Sequence, residues 1–373
     1  MAMLLDGKRP RLRTALLSVS CLLCLCALPG SAELKPYFGL LHSHTSYWDG
    51  VGTPDEAFDY ARNTAKLDFF AVTDHNHAAA PGNDGVYLTP QLYQKTQQAA
   101  KSHTKSGTFV ALCGQEFSTI SSGNHVNILE ADSLCSVPSG QFDTLYEQWL
   151  PQHHPALVQF NHPDSGLRSG ANAKEYGVDD YGGYPELLQA ARPYVYLIEV
   201  IVGPAFGEAT DKPYYPGKDE SDYLFYLNQG FRLGASAGQH NHKANWGTSS
   251  AARTGVWLES LTRDSLLEGL EARRCYATED EDLELQVLAN GQWMGSEVNA
   301  SSGAPVSTTV TIRDPDEPGA TYTVELLYDD AVGGPKAKPF ESKQATDAQE
   351  VSFSHTPAPG AAVPSRSSSR DRL

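Results

Sequence analysis

The sequence predicts an α/β fold: a barrel of about seven mostly parallel strands, followed by a small β-sandwich module. Three observations carry that expectation. From about Lys35 to Gln239 the chain repeats one pattern, a short apolar run, a polar cluster and a variable stretch. Several of the runs are continuous rather than alternating, as befits strands buried on both faces of a parallel sheet. Beyond residue 282 the texture changes to apolar/polar alternation broken by turn signals, the mark of antiparallel strands with one buried face.

In order, the runs are YFGLL (37–41), LDFFAV (67–72), TFVAL (108–112), HVNIL (125–129), ALVQF (156–160), VYLIEVIV (195–202) and FRLGAS (231–236). Between the first two lies TPDEAFDYARNTA, a helix by its signals: Thr53 as N-cap, Pro54 at the first helical position and Glu56 closing a capping box. LTPQLYQKTQQAAKS (88–102) reads as a second helix, and LTRDSLLEGLEARR (261–274) as an amphipathic one with Leu266, Leu267 and Leu270 on one side. Strand–helix alternation with about seven strands favours a barrel over an open doubly wound sheet. LELQVLANGQWMGSEV, PVSTTVTIRD, TYTVELLYDD and EVSFSHT, separated by Asn-Gly, Asp-Pro and Gly-Gly, make up the β-module over 283–356. The barrel then occupies 33–282, and PAPGAAVPSRSSSRDRL (357–373) is a disordered tail by composition.

Residues 1–32 hold a basic leader, the apolar run TALLSVSCLLCLCALPG and small residues at Gly30, Ser31 and Ala32, the layout of a cleaved secretory signal. The expectation is an exported protein, periplasmic or extracellular, with no stable membrane insertion after cleavage. Three of the six cysteines would leave with the leader; Cys113, Cys135 and Cys275 would remain, with pairing of the first two left open. With 45 acidic against 28 basic residues and a formal charge of −17, the chain lacks the basic face that displaces counterions from phosphates, so nucleic acid is not an expected partner.

The twelve histidines are the telling count, because seven of them sit at the ends of apolar runs. Run one leads into His42-Ser43-His44, with Asp49 close behind; run two gives Asp74-His75, run three Glu116, run five Asn161-His162, and run seven His240-Asn241-His242. In parallel α/β folds the C-terminal strand ends converge on one rim. His125 opens its run, so it reaches that rim only from a loop or a reversed strand. An H-x-H pair on a strand end points both imidazoles the same way, a chelating geometry for Zn²⁺, Mn²⁺ or Fe²⁺. His77, His103, His153, His154 and His355 read as ordinary hydrogen-bonding histidines.

HSHTSYWDG (42–50), VTDHN (72–76), Gly-x-Glu (114–116), GNHVNIL (123–129), FNHPD (160–164) and GQHNH (238–242) resemble, in order, the motifs of the PHP (polymerase and histidinol phosphatase) family. The likeness spans about residues 36–245. GNHVNIL, and ARRCYAT ahead of a β-module, resemble most the exported CehA/McbA-like branch, which includes carbamate-ester hydrolases. The resemblance implies a distorted seven-stranded (β/α) barrel holding two or three divalent metal ions. It implies His42 and His44 on a first metal, Glu116 bridging to a second completed by His125 and His162, and Asp49, His75 and His242 on a third. Where the family's last motif has Asp-x-His, this chain has His240-Asn241-His242; His240 can still ligate the first metal, with a neutral imidazole in place of a carboxylate.

The implied chemistry is hydrolysis of a small-molecule ester, phosphoester first and carbamate or carboxyl ester second. On that reading a metal-bridging hydroxide would be the nucleophile, with Glu116, Asp49 and His240 the residues closest to the reaction. Asn161, Arg168 and Lys243 are candidate substrate contacts, and Asn241 and Trp246 candidate pocket residues. Asp74 either orients a ligand or caps the following turn. Residues 163–190, rich in Gly and Tyr, read as a long insertion over the rim. Two rivals fit less well: an amidohydrolase, which expects a bridging Lys and a late single Asp, and a non-catalytic metal-binding surface protein, which has no need of so full a ligand set.

Overall fold

The computed structural model describes residues 33–76, 88–117, 125–153, 156–163, 189–207, 223, 226–227, 230–298, 303–328 and 338–356. The expected leader, the tail, Arg168, His77, His154 and nearly all of the 163–190 insertion lie outside these residues. Leu34–Leu373 form one compact unit.

Each of the seven apolar runs becomes a strand: β1 (Lys35–Leu40), β2 (Phe69–Val72), β3 (Val110–Phe117), β4 (Val126–Leu129), β5 (Leu157–Phe160), β6 (Val195–Ile201) and β7 (Gly234–Ala237). Two further strands, β8 (Arg253–Leu258) and β9 (Cys275–Thr278), extend the sheet to nine, in the order β7-β6-β5-β4-β3-β2-β1-β8-β9. Both pair antiparallel, β8 against β1 and β9 against β8. The mostly parallel expectation holds for β1–β2, β2–β3, β5–β6 and β6–β7. It fails at β4, which runs antiparallel to both neighbours. The reason is covalent: residues 118–124 are too few for a parallel crossover, which needs a dozen or more residues, so the chain must turn straight back.

The sheet curls until its ends meet. A Cβ on Gly234 of β7 would fall 2.4 Å from Cys275 Sγ of β9, so only glycine lets these backbones approach. Among the described residues no ladder joins the two ends, though an isolated parallel bridge links Ser43, beyond β1, to Asn241, beyond β7. Instead the Thr254 hydroxyl of β8 accepts from the Ala237 backbone N–H and donates to the Ala237 carbonyl, both at 2.9 Å. The result is a barrel-like sheet, nearly closed.

Helix α1 (Pro54–Asn63) starts as its sequence prescribes, with both halves of the Thr53/Glu56 capping box formed. Helix α2 (Pro90–His103) is capped by Thr89, and the two lay Phe58, Ala61, Tyr93 and Ala100 against Phe70 and Phe109 of the sheet. The helix Arg263–Glu271, capped by Thr262, packs Leu266 and Leu270 against Val256 and Leu258. These contacts hold the strands from outside and leave their C-terminal ends free to carry polar residues. Cys113, Cys135 and Cys275 are all buried and unpaired, so the open question of a Cys113–Cys135 disulfide is answered in the negative. Among the described residues, no helix is long and apolar enough to cross a membrane.

After β9 the chain forms β10 (Glu284–Ala289), β11 (Gln292–Trp293), β12 (Val306–Arg313), β13 (Thr321–Tyr328), β14 (Lys338–Thr346) and β15 (Glu350–His355). One sheet has the order β11-β10-β12-β15, the other pairs β13 with β14, and every pairing is antiparallel. The alternating residues of both sheets meet in one core, including Leu285, Ile312, Tyr322 and Phe353. That core takes in Trp257 of β8 and Tyr276 of β9. Trp257 Nε1 donates to the Leu285 carbonyl and the Tyr276 hydroxyl to the Leu283 carbonyl, both at 2.8 Å, so each aromatic buries its ring and satisfies its polar end.

Candidate metal centre

The site gathers where the strands deliver their polar ends. Beyond β1, period-two alternation sends His42 and His44 to one side and Ser43 to the other, where its hydroxyl donates to the Ala71 carbonyl at 2.6 Å. His42, Ser43 and His44 are completely buried. Asp74 accepts from the Thr45 backbone N–H and hydroxyl, both at 2.6 Å. It therefore holds the backbone after His44 and, among the described residues, neither caps the turn that follows it nor bonds a ligand's ring; burial pushes its carboxyl up to about 7. Trp246 Nε1 donates to the His44 carbonyl at 3.0 Å, and the His44 N–H donates to the Asn241 carbonyl at 2.8 Å, so the last motif splints the first.

Glu116, near the end of β3 and fully buried, is the hub. His42 Nε2, His125 Nδ1 and His162 Nε2 lie 3.3, 3.1 and 3.3 Å from its Oε1. His44 Nε2 and His75 Nδ1 lie 3.2 and 3.1 Å from its Oε2. The reversed direction of β4 is what brings His125, one residue before that strand, to the same rim as the ends of the parallel strands. Further out, Asp49 Oδ1 lies 3.3 Å from His242 Nε2 and 3.7 Å from His44 Nδ1.

The nine ligand candidates therefore converge. They fall into three groups whose donor atoms lie within 4.8 Å of one another: His42, Glu116, His162 and His240; His75, Glu116 and His125; and His44, Asp49, His75 and His242. Glu116 belongs to two groups, as the bridging role implied by the resemblance requires. The partition differs in detail: His162 stands with His42 and His240, and His44 with the outer set.

The donors fit divalent cations on their own chemistry. His240 Nε2 and His44 Nδ1 are buried with no hydrogen-bond partner. An orphaned buried nitrogen costs about 1–3 kcal/mol unless something occupies its lone pair. His242 Nδ1 donates to the His240 carbonyl at 2.9 Å, and His42 Nδ1 donates to Glu199 at 3.0 Å. Both rings thereby turn Nε2 toward a carboxylate, Asp49 and Glu116 respectively, positions that a cation between the two would fill. Mixed imidazole and carboxylate donors suit Zn, Mn or Fe.

The electrostatics agree. Burial alone would raise Glu116, but the imidazoles of His75, His42 and His125 outweigh it and hold the carboxyl well below its usual range. Burial also opposes a charge on His42, yet Glu199 and Glu116 overcome it and raise that ring to about 10. Burial and the neighbouring His242 push His44 down to about 4, and burial with the rings of His42 and His242 takes His240 well below the ordinary value. His44 and His240 are thus uncharged at neutral pH, the ligating form. Two candidates also hold unusual backbone: His162 at φ 29° and His240 at φ 52°. Left-handed non-glycine residues cost on the order of 1–3 kcal/mol and persist where surrounding structure fixes them.

The candidate substrate contacts are placed differently from one another. Asn161 is fully buried; its Nδ2 donates to Glu116 Oε1 at 2.8 Å and its Oδ1 accepts from Gln159, so it braces the hub instead of facing the mouth. Lys243 is exposed beside His242. Asn241 is buried and donates to Ser249 Oγ at 2.8 Å, and Trp246 is equally buried, so both build the wall from behind. One residue escaped the sequence reading: Glu199 of β6, fully buried, whose Oε2 accepts from the His162 N–H at 2.9 Å. Its signal was a lone acid inside VYLIEVIV, a run otherwise apolar but for Tyr196.

Sequence and structure comparisons bear on this centre. No family model matches the chain. An uncharacterized protein of Chlamydia muridarum is 23% identical over 288 residues, which is 72% of this chain and 44% of that protein. Another, from Chlamydia trachomatis, is 22% identical over 281 residues, 71% of this chain and 42% of that one. The chain thus spans less than half the length of the curated relatives it matches. Among solved structures, a two-domain protein from Bacteroides vulgatus containing a predicted PHP-like metal-dependent phosphoesterase superposes with a TM-score of 0.50 and 13% identity, covering 90% of this chain and 96% of that one. At that identity the likeness is one of architecture: the chain has the fold of this PHP-like two-domain protein.

Proposed function

We propose that the chain is a metal-dependent hydrolase of the PHP superfamily, acting on a small phosphoester, and that it belongs to the CehA/McbA-like branch. The observation that carries this reading is that five imidazoles, those of His42, His44, His75, His125 and His162, lie within 3.3 Å of the single buried carboxylate of Glu116. So many buried polar groups around one acid are costly without cations to bind them. His42, His162 and His240 with Glu116 would hold one ion, His75 and His125 with Glu116 a second, and His44, Asp49, His75 and His242 a third. Divalent ions there polarise a phosphoryl or carbonyl oxygen and bring the pKa of water toward neutrality. The chain's own part is orientation and exclusion of water. Glu116 gathers residues from the ends of β1, β2, β4 and β5, Asn161 donates to it, Glu199 holds His42 and His162, and the half-buried Asp49 faces His242 at the open side.

A carbamate or carboxyl ester is the second reading, and two observations favour it. His240 stands where a carboxylate is usual, and Phe206, 60% exposed, lays its ring 4.0 Å from that of His242, an apolar face beside the outer group. Export is part of the same proposal and rests on the composition of residues 1–32.

Metal analysis, combined with hydrolysis of nitrophenyl phosphate, a nitrophenyl phosphodiester and a naphthyl carbamate, tests the proposal. Two or three ions per chain are expected, with activity lost on chelation, restored by Zn²⁺ or Mn²⁺, and absent in Glu116→Ala. Activity that survives complete chelation, or is unchanged in Glu116→Ala, would sink the hydrolase reading.

A further inference from the structure

Glu199 stands outside the ligand groups, yet it touches two members of the inner one, His42 and His162. It is one of the completely buried carboxylates, on β6, and its two oxygens are divided between residues delivered by different strands. Oε1 accepts from His42 Nδ1 at 3.0 Å, just past β1, and Oε2 accepts from the His162 backbone N–H at 2.9 Å, just past β5. A third strand end makes room for it: a Cβ on Gly238, one residue past β7, would lie 2.3 Å from Glu199 Oε1. The β6–β7 register also shifts between Glu199 and Ile201, an irregularity of the kind that re-aims a side chain.

We infer that Glu199 is the positioning residue of the inner group, fixing the proton of His42 on Nδ1 and the backbone of His162, so that both Nε2 lone pairs face the ion shared with Glu116 and His240. The inference rests on the hydrolase reading above for its ion, but not for its geometry. His42 has two ring nitrogens, and only the tautomer protonated on Nδ1 presents Nε2 to Glu116, 3.3 Å away. His162 sits at φ 29°, and its N–H bond to Glu199 is one of the contacts that hold it there. A single carboxylate serves both because it has acceptors on both oxygens; an amide in its place can accept on only one and turns N–H groups toward the other donor. Orienting carboxylates behind metal-bound histidines commonly change metal affinity by about 10–100-fold when removed.

Glu199→Gln keeps the shape and tests the pairing. Titration of the full chain with Zn²⁺ should show the tightest site weakened about 10–100-fold, while circular dichroism of the metal-free variant matches wild type. ¹⁵N spectra of the His42 ring in metal-free protein should show an Nδ1–H hydrogen-bonded to Glu199 in wild type and that Nδ1–H signal shifted or lost in the variant. Gly238→Ala, which crowds the carboxylate without changing any charge, should reproduce both effects and serves if Glu199→Gln folds poorly. Equal Zn²⁺ affinity in wild type and both variants, or an unchanged His42 spectrum, would overturn the positioning role. Wild type that takes up no Zn²⁺ or Mn²⁺ at all would instead overturn the hydrolase reading, and the spectra would still decide the orientation of His42.

Discussion

On the proposed reading, His240 is the residue at which substrate choice is tested. Its ring is uncharged, packed 4.1 Å from that of His42, and its Nε2 is buried without a hydrogen-bond partner. A carboxylate there would, on the same reading, restore the donor set of the phosphoesterases whose motifs the chain resembles. His240→Asp is therefore expected to shift the ratio of nitrophenyl phosphate to naphthyl carbamate hydrolysis, measured as kcat/KM for each, toward the phosphoester; an unchanged ratio would remove His240 from specificity. Most ligand candidates were legible because they end apolar runs, a pattern carried in local sequence, while His125, which opens its run, and Asp49, five residues past His44, needed their motifs. The bracing residues were not. Asp74 meets Thr45 across 29 positions and Glu199 meets His42 across 157, distances that only the closed sheet brings to zero.

Strands supply the next level of control, and Thr254 is its sharpest case. One hydroxyl satisfies both the N–H and the carbonyl of Ala237, a residue fully within the wall. Thr254→Val keeps the volume and removes both bonds, leaving two backbone groups unpaired, so a loss of about 2–4 kcal/mol is expected in urea unfolding. A loss under half that would mean that the ends of the sheet are held by packing alone. The seven runs and three helices could be read from apolar periodicity and capping residues, since Thr53, Pro54 and Glu56 act within one turn. The direction of β4 was also encoded, in the shortness of residues 118–124. RTGVWL, which becomes β8, and CYAT, which becomes β9, escaped because they pair antiparallel beyond the run of strand–helix alternation and so fall outside the pattern being counted.

Across the whole molecule, barrel and β-module are joined by a shared core around Trp257 and Tyr276, beside which four carboxylates crowd together: Asp280, Asp282, Asp314 and Asp316. Burial, then the charges of Asp316 and Asp280, push Asp282 up to about 6. A carboxyl raised on folding binds its proton more tightly in the folded chain. Its favourable contribution is whole below the unfolded value near 4 and is lost as pH rises through about 6. Asp282→Asn should therefore raise Tm over wild type at about pH 7.5 and close most of that gap at about pH 4, as measured by thermal unfolding. A gap that does not depend on pH would place the effect in packing. The module itself was legible from alternation and Asn-Gly or Gly-Gly punctuation, but its union with the barrel was not, because Trp257 and Tyr276 read as ordinary strand aromatics until Leu283 and Leu285 arrive to receive their hydrogen bonds.

The join at Thr254 has one more consequence. Along most of the wall neighbouring strands are stitched by main-chain ladders, whereas β7 and β8 meet through a side-chain hydroxyl. Beyond β7 the backbone takes over again: the Asn241 carbonyl, between His240 and His242, accepts from the His44 N–H. The seam is thus closed by a hydroxyl in mid-wall and by main chain at the rim. The last motif is tied directly to the first, independently of Thr254.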